Sequence, residues 1–296
     1  MTSSESRTTP IWDKERVARW LAQIDQLERQ LQPVSDALFA ATDLRPGMCV
    51  LDVGCGSGPT TVQAATLVQP GGRVTGVDLS AEVIAAAQQR HAGNRGPHTQ
   101  PIEWLVANVD HHAFEPASFD AIISRFGVMF FADPVVAFGR LAKACRPGGQ
   151  LVVAVWLDLH RSPFFGTPYD IAVDALVQTN AVYSPVPAAF GPSSLGDSDL
   201  VRSILASVGW SEITTEEDFR ILYPGGPGTP AQAVESVLNL GHVAQLVKSQ
   251  PPEVMEAVRA AMTADFERRH DGTGVALPGG FMIVSAVRAE EPAAAD

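Results

Sequence analysis

The sequence has no apolar run long enough to cross a membrane and no cluster of basic residues. None of its hydrophobic stretches reaches the about 18 consecutive apolar residues that indicate a transmembrane helix, and the polar residues 1–9 do not resemble a signal peptide. The formal net charge is −12, whereas non-specific nucleic-acid binding depends on positively charged patches. We therefore expect a cytoplasmic protein with neither a membrane nor a nucleic acid as its partner.

Cysteine is also scarce. The three cysteines, Cys49, Cys55 and Cys145, do not have the spacing of a metal site. Free cysteine is usually a buried, small apolar residue. We expect these three to fill core or loop positions in a reducing compartment, and we expect no metal.

The most informative segment, residues 50–58, reads Val-Leu-Asp-Val-Gly-Cys-Gly-Ser-Gly. Its apolar start, with the single acid Asp52, is typical of a strand that is buried on both faces of a parallel sheet. Glycines at alternate positions, Gly54, Gly56 and Gly58, allow a sharp turn and a close approach of the backbone to a ligand. The segment therefore predicts a strand, a nucleotide-binding glycine loop and a following helix.

The glycine spacing limits the kind of nucleotide. A dinucleotide fingerprint has glycine at its first, third and sixth positions, but the sixth position is Pro59 when counted from Gly54 and Thr61 when counted from Gly56. A P-loop is excluded as well, since no Gly-Lys-Ser/Thr follows. The next predicted strand ends at Asp78, where an acid can hold ribose hydroxyls. This combination favours an adenosine cofactor without phosphates over NAD or FAD.

Four segments resemble the motifs of the class I S-adenosylmethionine-dependent methyltransferases, in the order and at the spacing of that family. They are residues 50–58, 76–80, 118–131 and 146–151. Within the class, the chain is most similar to the bacterial branch that is related to quinone and natural-product methyltransferases. That branch often begins with a tryptophan-bearing helix, and Trp12 and Trp20 resemble this feature. The resemblance implies S-adenosylmethionine as the cofactor.

The resemblance also implies a set of cofactor-binding residues. They are Asp52, Gly54, Cys55, Gly56, Gly58, Asp78, Leu79, Asn108, Val109, Ser124 and Arg125. In the family, the acid at position 52 orients the glycine loop and the amino group of the cofactor, and the acid at position 78 accepts hydrogen bonds from the ribose. Arg125 has a second interpretation as a structural ion-pair partner.

One position departs from the family pattern. Relatives usually carry Asp-Ala after the third strand, where this chain has Asn108 and Val109. The amide oxygen of Asn108 can still accept a hydrogen bond from the adenine amino group, although without the charge of a carboxylate. Asp110, two residues further on, is the alternative.

Methyl transfer from a sulfonium depends mainly on alignment of the two reactants. A base is required only for a hydroxyl or a protonated amine. His160, just after the fifth strand, is the first candidate base, and His111 with its neighbour His112 is the second; an exposed histidine without a role is the alternative for each. The aromatic residues that we expect to contact the acceptor, with core packing as the alternative, are Trp12, Phe130 and Phe164.

The alternation of apolar and helical patterns predicts an α/β fold: a Rossmann-like, seven-stranded, mostly parallel sheet flanked by helices, with N-terminal helices and a helical cap. Strands are predicted near 49–53, 73–77, 102–106, 119–124, 150–155, 216–223 and 281–287. The predicted parts are an N-terminal helical lid (1–45), a cofactor-binding core (46–156), acceptor-binding cap insertions (157–196 and 226–272), remaining core elements (197–225 and 273–288) and a disordered tail (289–296).

These features predict a monomeric or homodimeric enzyme that transfers a methyl group to a small organic acceptor, such as a secondary metabolite or a quinone-like molecule. One alternative is a protein that binds S-adenosylmethionine but catalyses a reaction without methylation, such as a cyclisation. Another is a non-catalytic cofactor-binding partner of a different enzyme. A nicotinamide-dependent dehydrogenase is disfavoured by Pro59. The residues leave open which acceptor atom is methylated.

Overall fold

The computed structural model describes residues 14–92, 102–186, 191–239 and 241–290. Within these ranges seven strands form one sheet. They are β1 Cys49–Val53, β2 Arg73–Asp78, β3 Glu103–Val106, β4 Phe119–Arg125, β5 Cys145–Trp156, β6 Trp210–Leu222 and β7 Leu277–Arg288. Their order across the sheet is β3-β2-β1-β4-β5-β7-β6.

Strands β1 to β5 run parallel to one another, and β7 is antiparallel to both of its neighbours, β5 and β6. The chain progresses outward in one direction from β1 to β3 and in the other from β4 through β5 to β6, and β7 then lies between β5 and β6. Ligands of such sheets bind at the carboxyl ends of the strands, where this reversal opens a crevice. The predicted fold class, a seven-stranded, mostly parallel Rossmann-like sheet, is confirmed.

Helices cover both faces of the sheet. They are α1 Lys14–Ala22, α2 Ile24–Ala40, α3 Pro59–Leu67, α4 Ala81–His91, α5 Pro134–Ala144, α6 Pro163–Gln178, α7 Ser198–Ser207, α8 Pro230–Asn239, α9 Gly241–Leu246 and α10 Pro252–Arg269. Several begin at side-chain caps that satisfy free backbone N–H groups. At the start of α4, Ser80 accepts from the N–H of Val83 at 3.2 Å, and at the start of α5, Asp133 accepts from that of Val136 at 3.0 Å. None of the helices in the described ranges is both long and apolar enough for a transmembrane span.

The core lies on both faces of the central strands. Along β4, Ile122 belongs to the larger apolar cluster, and its neighbours Ala121 and Ile123 belong to a smaller cluster on the opposite face. All three are fully buried. This alternation explains why β4 reads as a continuous apolar run in the sequence.

Four helices pack together near the end of the sheet that carries the glycine loop. Helix α10 contacts α6 and α8, and α9 contacts the same two helices. They come from the two insertions predicted to form the cap. Their role in acceptor binding stays a prediction.

Several element boundaries differ from those predicted. Strand β6 begins at Trp210 instead of near residue 216, and its pairing shifts register between Ser211 and Thr214. It is an edge strand with many exposed acidic side chains, so its apolar alternation is weak. The predicted N-terminal helical lid contains α1 and α2, which are divided at Gln23.

We expect Ile122→Ala to lower the free energy of unfolding by about 2–5 kcal/mol, because it removes buried methyl groups and leaves a cavity in the central strand. Val182→Ala is the matched control, since Val182 is 92% exposed and should change stability by no more than about 0.5 kcal/mol. Urea denaturation of both variants measures the difference. Equal stability of the two variants would contradict the central position of β4.

Candidate functional site

The loop after β1 requires glycine at defined positions. Gly54, Gly56 and Gly58 have φ angles of 66°, 56° and 91°, which other residues adopt only with strain. A Cβ atom at Gly54 would lie 2.6 Å from the Cα of Gly127, and one at Gly58 would lie 2.4 Å from the ring of Trp104. Gly127 was not predicted as part of the site. Its position just after the fourth predicted strand could have identified it as part of the site.

Asp52 lies fully buried beneath this loop. Its Oδ2 accepts hydrogen bonds from the hydroxyls of Thr60 and Thr61, both at 2.7 Å. Its Oδ1 has no hydrogen-bond partner among the described residues. Burial raises the pKa of the carboxyl to about 6, against the lowering effect of the two hydroxyls. A donor or a cation at Oδ1 would therefore stabilise the ionised form.

Asp78 lies at the end of β2, next to the glycine loop. Its Oδ2 accepts from the backbone N–H of Gly56 at 3.1 Å, and its Oδ1 accepts from that of Ser80 at 3.0 Å. Burial raises the pKa of Asp78, and hydrogen bonds from the backbone of Ser80, Gly56 and Leu79 oppose this effect. Each carboxylate oxygen can accept a second hydrogen bond, and two is the number that a ribose diol can donate.

The segment after β3 makes mostly local contacts. The Oδ1 atom of Asn108 accepts from the backbone N–H of Asp110 at 2.9 Å, and Val109 is buried. The two carboxylate oxygens of Asp110 accept from the backbone N–H groups of Ala132 and Asp133, at 3.2 and 3.4 Å. Asp110 thus ties this segment to the start of α5, and its alternative role as the adenine partner loses support.

Ser124 and Arg125, at the end of β4, have structural partners. The buried Ser124 hydroxyl donates to the carbonyl of Val53 at 2.7 Å and accepts from the N–H of Gly127 at 3.1 Å. Arg125 forms a 2.5 Å ion pair with Glu28, whose side chain is 15% exposed. This ion pair is the structural alternative foreseen for Arg125, and both residues' contact with a cofactor stays a prediction.

The first two helices cover the glycine loop. The Trp20 ring would lie 3.1 Å from a Cβ atom at Gly56. Besides its ion pair, Glu28 accepts from the hydroxyl of Ser57 at 3.2 Å, and Asp25 pairs with Arg90 at 2.6 Å. The N-terminal helices therefore exclude solvent from one side of the loop. Glu28 was missed because nothing in its local sequence distinguishes it from a surface acid.

Aromatic side chains cluster where β4 and β5 end. Trp156 stacks on Phe126 with ring centroids 3.9 Å apart. It also lies nearly parallel to Phe164 at 5.9 Å and meets Phe165 edge-on at 4.9 Å. Phe130, in the 3-10 turn Val128–Phe130, is half-buried. Of the predicted acceptor contacts, Phe164 belongs to this cluster, and Trp12 lies outside the described residues.

Comparison with known proteins identifies a domain within the chain. Residues 51–153 match the family model described as a methyltransferase domain. The chain carries a class I methyltransferase domain of the S-adenosylmethionine-dependent kind. The match covers the glycine loop, Asp78, the end of β4 and most of β5, but it stops before the last residues of β5.

Relatives extend beyond the matched region. An uncharacterised protein of Mycobacterium tuberculosis is 28% identical over 77% of this chain and 81% of its own length. The nocamycin O-methyltransferase of Saccharothrix syringae is 35% identical over 40% of this chain and 42% of its own length. The first relative is similar to this protein over most of the chain, and the second is similar over a shorter region.

Solved structures share the fold of the methyltransferase. One neighbour, described as a putative methyltransferase from Bacillus halodurans, has a TM-score of 0.54 at 16% identity and covers 86% of this chain and 99% of its own. The [4+2]-cyclase SpnF has a TM-score of 0.52 at 18% identity and covers 88% of this chain and 82% of its own. At these identities the similarity shows the fold alone.

The predicted catalytic histidines of the methyltransferase face solvent. The His160 side chain is 71% exposed, and its Nδ1 lies 3.9 Å from an oxygen of Asp170. His111 is also exposed. Their roles stay predictions that this geometry does not favour. In the described part of the chain, no group of three or more His, Cys, Asp or Glu side chains is arranged to hold a metal ion.

A different histidine, His242 on α9, is buried beside the aromatic cluster. It is 7% exposed and meets the ring of Phe165 edge-on at 5.3 Å. Burial lowers the pKa of its imidazole to about 4. Sequence reasoning missed His242 because a single histidine in an apolar stretch carries no motif.

We expect the stability of the methyltransferase to depend on pH through His242. Its pKa falls from 6.5 to about 4 on folding, so between these values the unfolded chain binds a proton that the native protein does not bind. The free energy of unfolding is therefore not reduced by His242 above pH 6.5, and it decreases as the pH falls from 6.5 towards 4. The loss amounts to about 3 kcal/mol when complete.

His242→Phe should remove this contribution. Urea denaturation of the wild type and the variant at pH 7 and pH 4 measures it, as the difference between the two pH dependences. An unchanged pH dependence in the variant would show that His242 titrates normally in the native protein.

Proposed function

We propose that this methyltransferase transfers a methyl group from S-adenosylmethionine to a small organic acceptor held between the sheet and the helical cap. The observation that carries the proposal is the buried Asp52 carboxylate beneath the glycine loop. Its unpartnered Oδ1 and its raised pKa favour a ligand that brings a positive charge or a hydrogen-bond donor to this place.

The residues around the loop fit the cofactor. The backbone at Gly54 and Gly56 can approach its methionine part closely, and Asp52 can accept from its amino group. Asp78 has two acceptor positions left for the ribose hydroxyls. Asn108 retains one lone pair of its amide oxygen for the adenine amino group. When bound, the cofactor supplies a methyl group activated by a positively charged sulfur.

The chain itself contributes alignment and the exclusion of water. The Glu28–Arg125 ion pair ties helix α2 to the end of β4, and Trp20 covers Gly56. This arrangement shields one side of the loop from solvent. Holding the two reactants in line at about 3–3.5 Å can supply much of the rate acceleration without a catalytic side chain.

Three observations support a small organic acceptor. The net charge of −12 disfavours nucleic acid. The aromatic cluster around Trp156 at the end of β5 is suited to an apolar molecule. The relative from Saccharothrix syringae is named as an O-methyltransferase of nocamycin. A monomer or homodimer in the cytoplasm stays the expected form of the protein.

A non-methylating reaction such as a cyclisation is the second candidate function, because a solved cyclase shares the fold. Both functions use the same cofactor site. The mass of the product separates them, since only methylation adds a methyl group to the acceptor.

The cofactor assignment is tested by calorimetric titration with S-adenosylhomocysteine. We expect micromolar binding by the wild type, no binding of NADH, and affinity lower by at least about tenfold in Asp78→Ala, because the variant loses charge-assisted hydrogen bonds. Asp218→Ala, an acid on the edge strand β6, is the matched control and should bind as the wild type does. Binding that is indifferent to Asp78 would contradict the assignment.

We expect Asp52→Asn to lower the affinity for the cofactor without lowering the free energy of unfolding at pH 7. The raised pKa of Asp52, about 6, means that the native protein binds a proton between about pH 4 and 6 that the unfolded chain has lost. Stability therefore falls as the pH rises through this window, by about 3 kcal/mol in total. Asparagine removes this penalty.

We expect the free energy of unfolding of Asp52→Asn at pH 7 to equal or exceed that of the wild type, and the affinity for S-adenosylhomocysteine to fall by about tenfold or more. Urea denaturation and calorimetry measure the two quantities. A variant that loses stability but binds normally would assign Asp52 to the fold alone.

A further inference from the structure

His242 lies where the two predicted cap insertions meet. It meets the Phe165 ring edge-on, with centroids 5.3 Å apart, and its Nε2 lies 3.5 Å from the hydroxyl of Ser193. The side chain is 93% buried, as its exposed fraction is 7%. Its Nδ1 has no hydrogen-bond partner among the residues that the structure describes. A buried polar atom of this kind is costly unless a ligand pairs with it.

A continuous series of contacts connects this histidine to the glycine loop. Phe165 meets the ring of Trp156 at 4.9 Å, and Trp156 stacks on Phe126 at 3.9 Å. Phe126 has a φ angle of 65°, an unfavourable backbone conformation for this residue. The next residue, Gly127, is the one whose backbone touches Gly54. The imidazole is therefore connected to the glycine loop through contacts between aromatic side chains.

The neighbouring segment is anchored to the same edge of the sheet. The Ser194 hydroxyl donates to the carbonyl of Met129 at 2.6 Å, and the sulfur of Met129 accepts from the backbone N–H of Trp156 at 3.2 Å. Ser193, the residue beside His242, is thereby held near the carboxyl ends of β4 and β5. Acceptors of this fold bind at that edge.

We propose that His242 accepts the proton of the acceptor, and that the acceptor is a flat, unsaturated molecule that carries a hydroxyl group. A hydroxyl is a donor that fits the unpaired Nδ1, and aromatic side chains favour a flat partner. This inference rests on the proposed function and adds to it the atom that is methylated and the residue that takes the proton.

The proposed reaction transfers the methyl group to the acceptor oxygen and the hydroxyl proton to His242. The bond between the acceptor oxygen and the methyl carbon forms while the bond between carbon and sulfur breaks, and the electron pair stays on the sulfur. The hydroxyl proton moves to Nδ1 of His242, in the tautomer whose Nε2–H faces Ser193, and is later released to solvent. Because burial lowers the pKa of this imidazole, its Nδ1 lone pair is free at neutral pH.

Binding of two probe compounds tests the hydroxyl recognition without turnover. In the presence of saturating S-adenosylhomocysteine, we expect the wild type to bind 2-naphthol about tenfold more tightly than 2-methoxynaphthalene, the value for one buried hydrogen bond. In His242→Phe the two affinities should become equal, because the ring contact with Phe165 remains but the acceptor atom is lost. Calorimetry measures all four affinities.

Methyl transfer to 2-naphthol, followed by mass spectrometry of the product, is the second readout. We expect His242→Phe to lower kcat by about 100-fold or more, the usual contribution of a positioned base. Val243→Ala is the matched control, because Val243 is a buried neighbour on the same helix and its truncation loosens the cap without removing the nitrogen. It should retain kcat within about threefold and keep the preference for 2-naphthol.

Each of the other possible results contradicts a specific part of the proposal. If His242→Phe keeps both the preference and the transfer, His242 is not the proton acceptor. If the wild type binds S-adenosylhomocysteine but neither naphthalene compound, the flat hydroxyl acceptor is wrong while the proposed function stands. If the wild type does not bind S-adenosylhomocysteine, the proposed function itself fails. If Val243→Ala loses as much as His242→Phe, the effect belongs to packing of the cap.

Discussion

The crevice depends on a backbone contact between two loops at the centre of the sheet. Gly54 follows β1 and Gly127 follows β4, and a Cβ atom on either would lie within 2.7 Å of the other's Cα. The Ser124 hydroxyl holds the two loops together, because it bonds to the carbonyl of Val53 and to the N–H of Gly127. This approach brings the loop that binds the donor next to Phe126. The aromatic cluster that we propose for the acceptor side therefore begins next to the glycine loop.

The charges around the loop favour a cationic ligand. Asp52 and Asp78 are both acids whose pKa burial raises, and the nearby Arg125 is already paired with Glu28. The unliganded protein thus carries an electrostatic cost at neutral pH that a positively charged sulfur and amino group would reduce. Retaining ionised Asp52 at this cost is the kind of compromise between stability and function that active sites show. It also explains why binding and stability should respond in opposite directions at this residue.

Local sequence was sufficient for the donor side and insufficient for the acceptor side. The approximate positions of most strands along the sequence, the glycine loop and the position of Asp78 at the end of β2 follow from short segments in which apolar periodicity and glycine spacing decide the structure. The start of β6 at Trp210 could not be predicted, because an edge strand buries little and shows no clean alternation. Glu28 and His242 contact residues that are 97 and 77 positions away in the sequence, Arg125 and Phe165. No local sequence pattern predicts contacts between residues so far apart in the chain.

The family match covers the proposed donor side of the site but not the proposed acceptor side. The proposed donor-binding residues lie at or near the ends of strands β1 to β4, so a match over residues 51–153 includes them together. The proposed acceptor side combines Trp156 from the sheet, Phe165 from the first predicted cap insertion and His242 from the second. All three lie outside the matched region. A change at any of these positions can alter the acceptor while the cofactor site stays the same, so acceptor chemistry has to be argued from contacts such as that between His242 and Phe165.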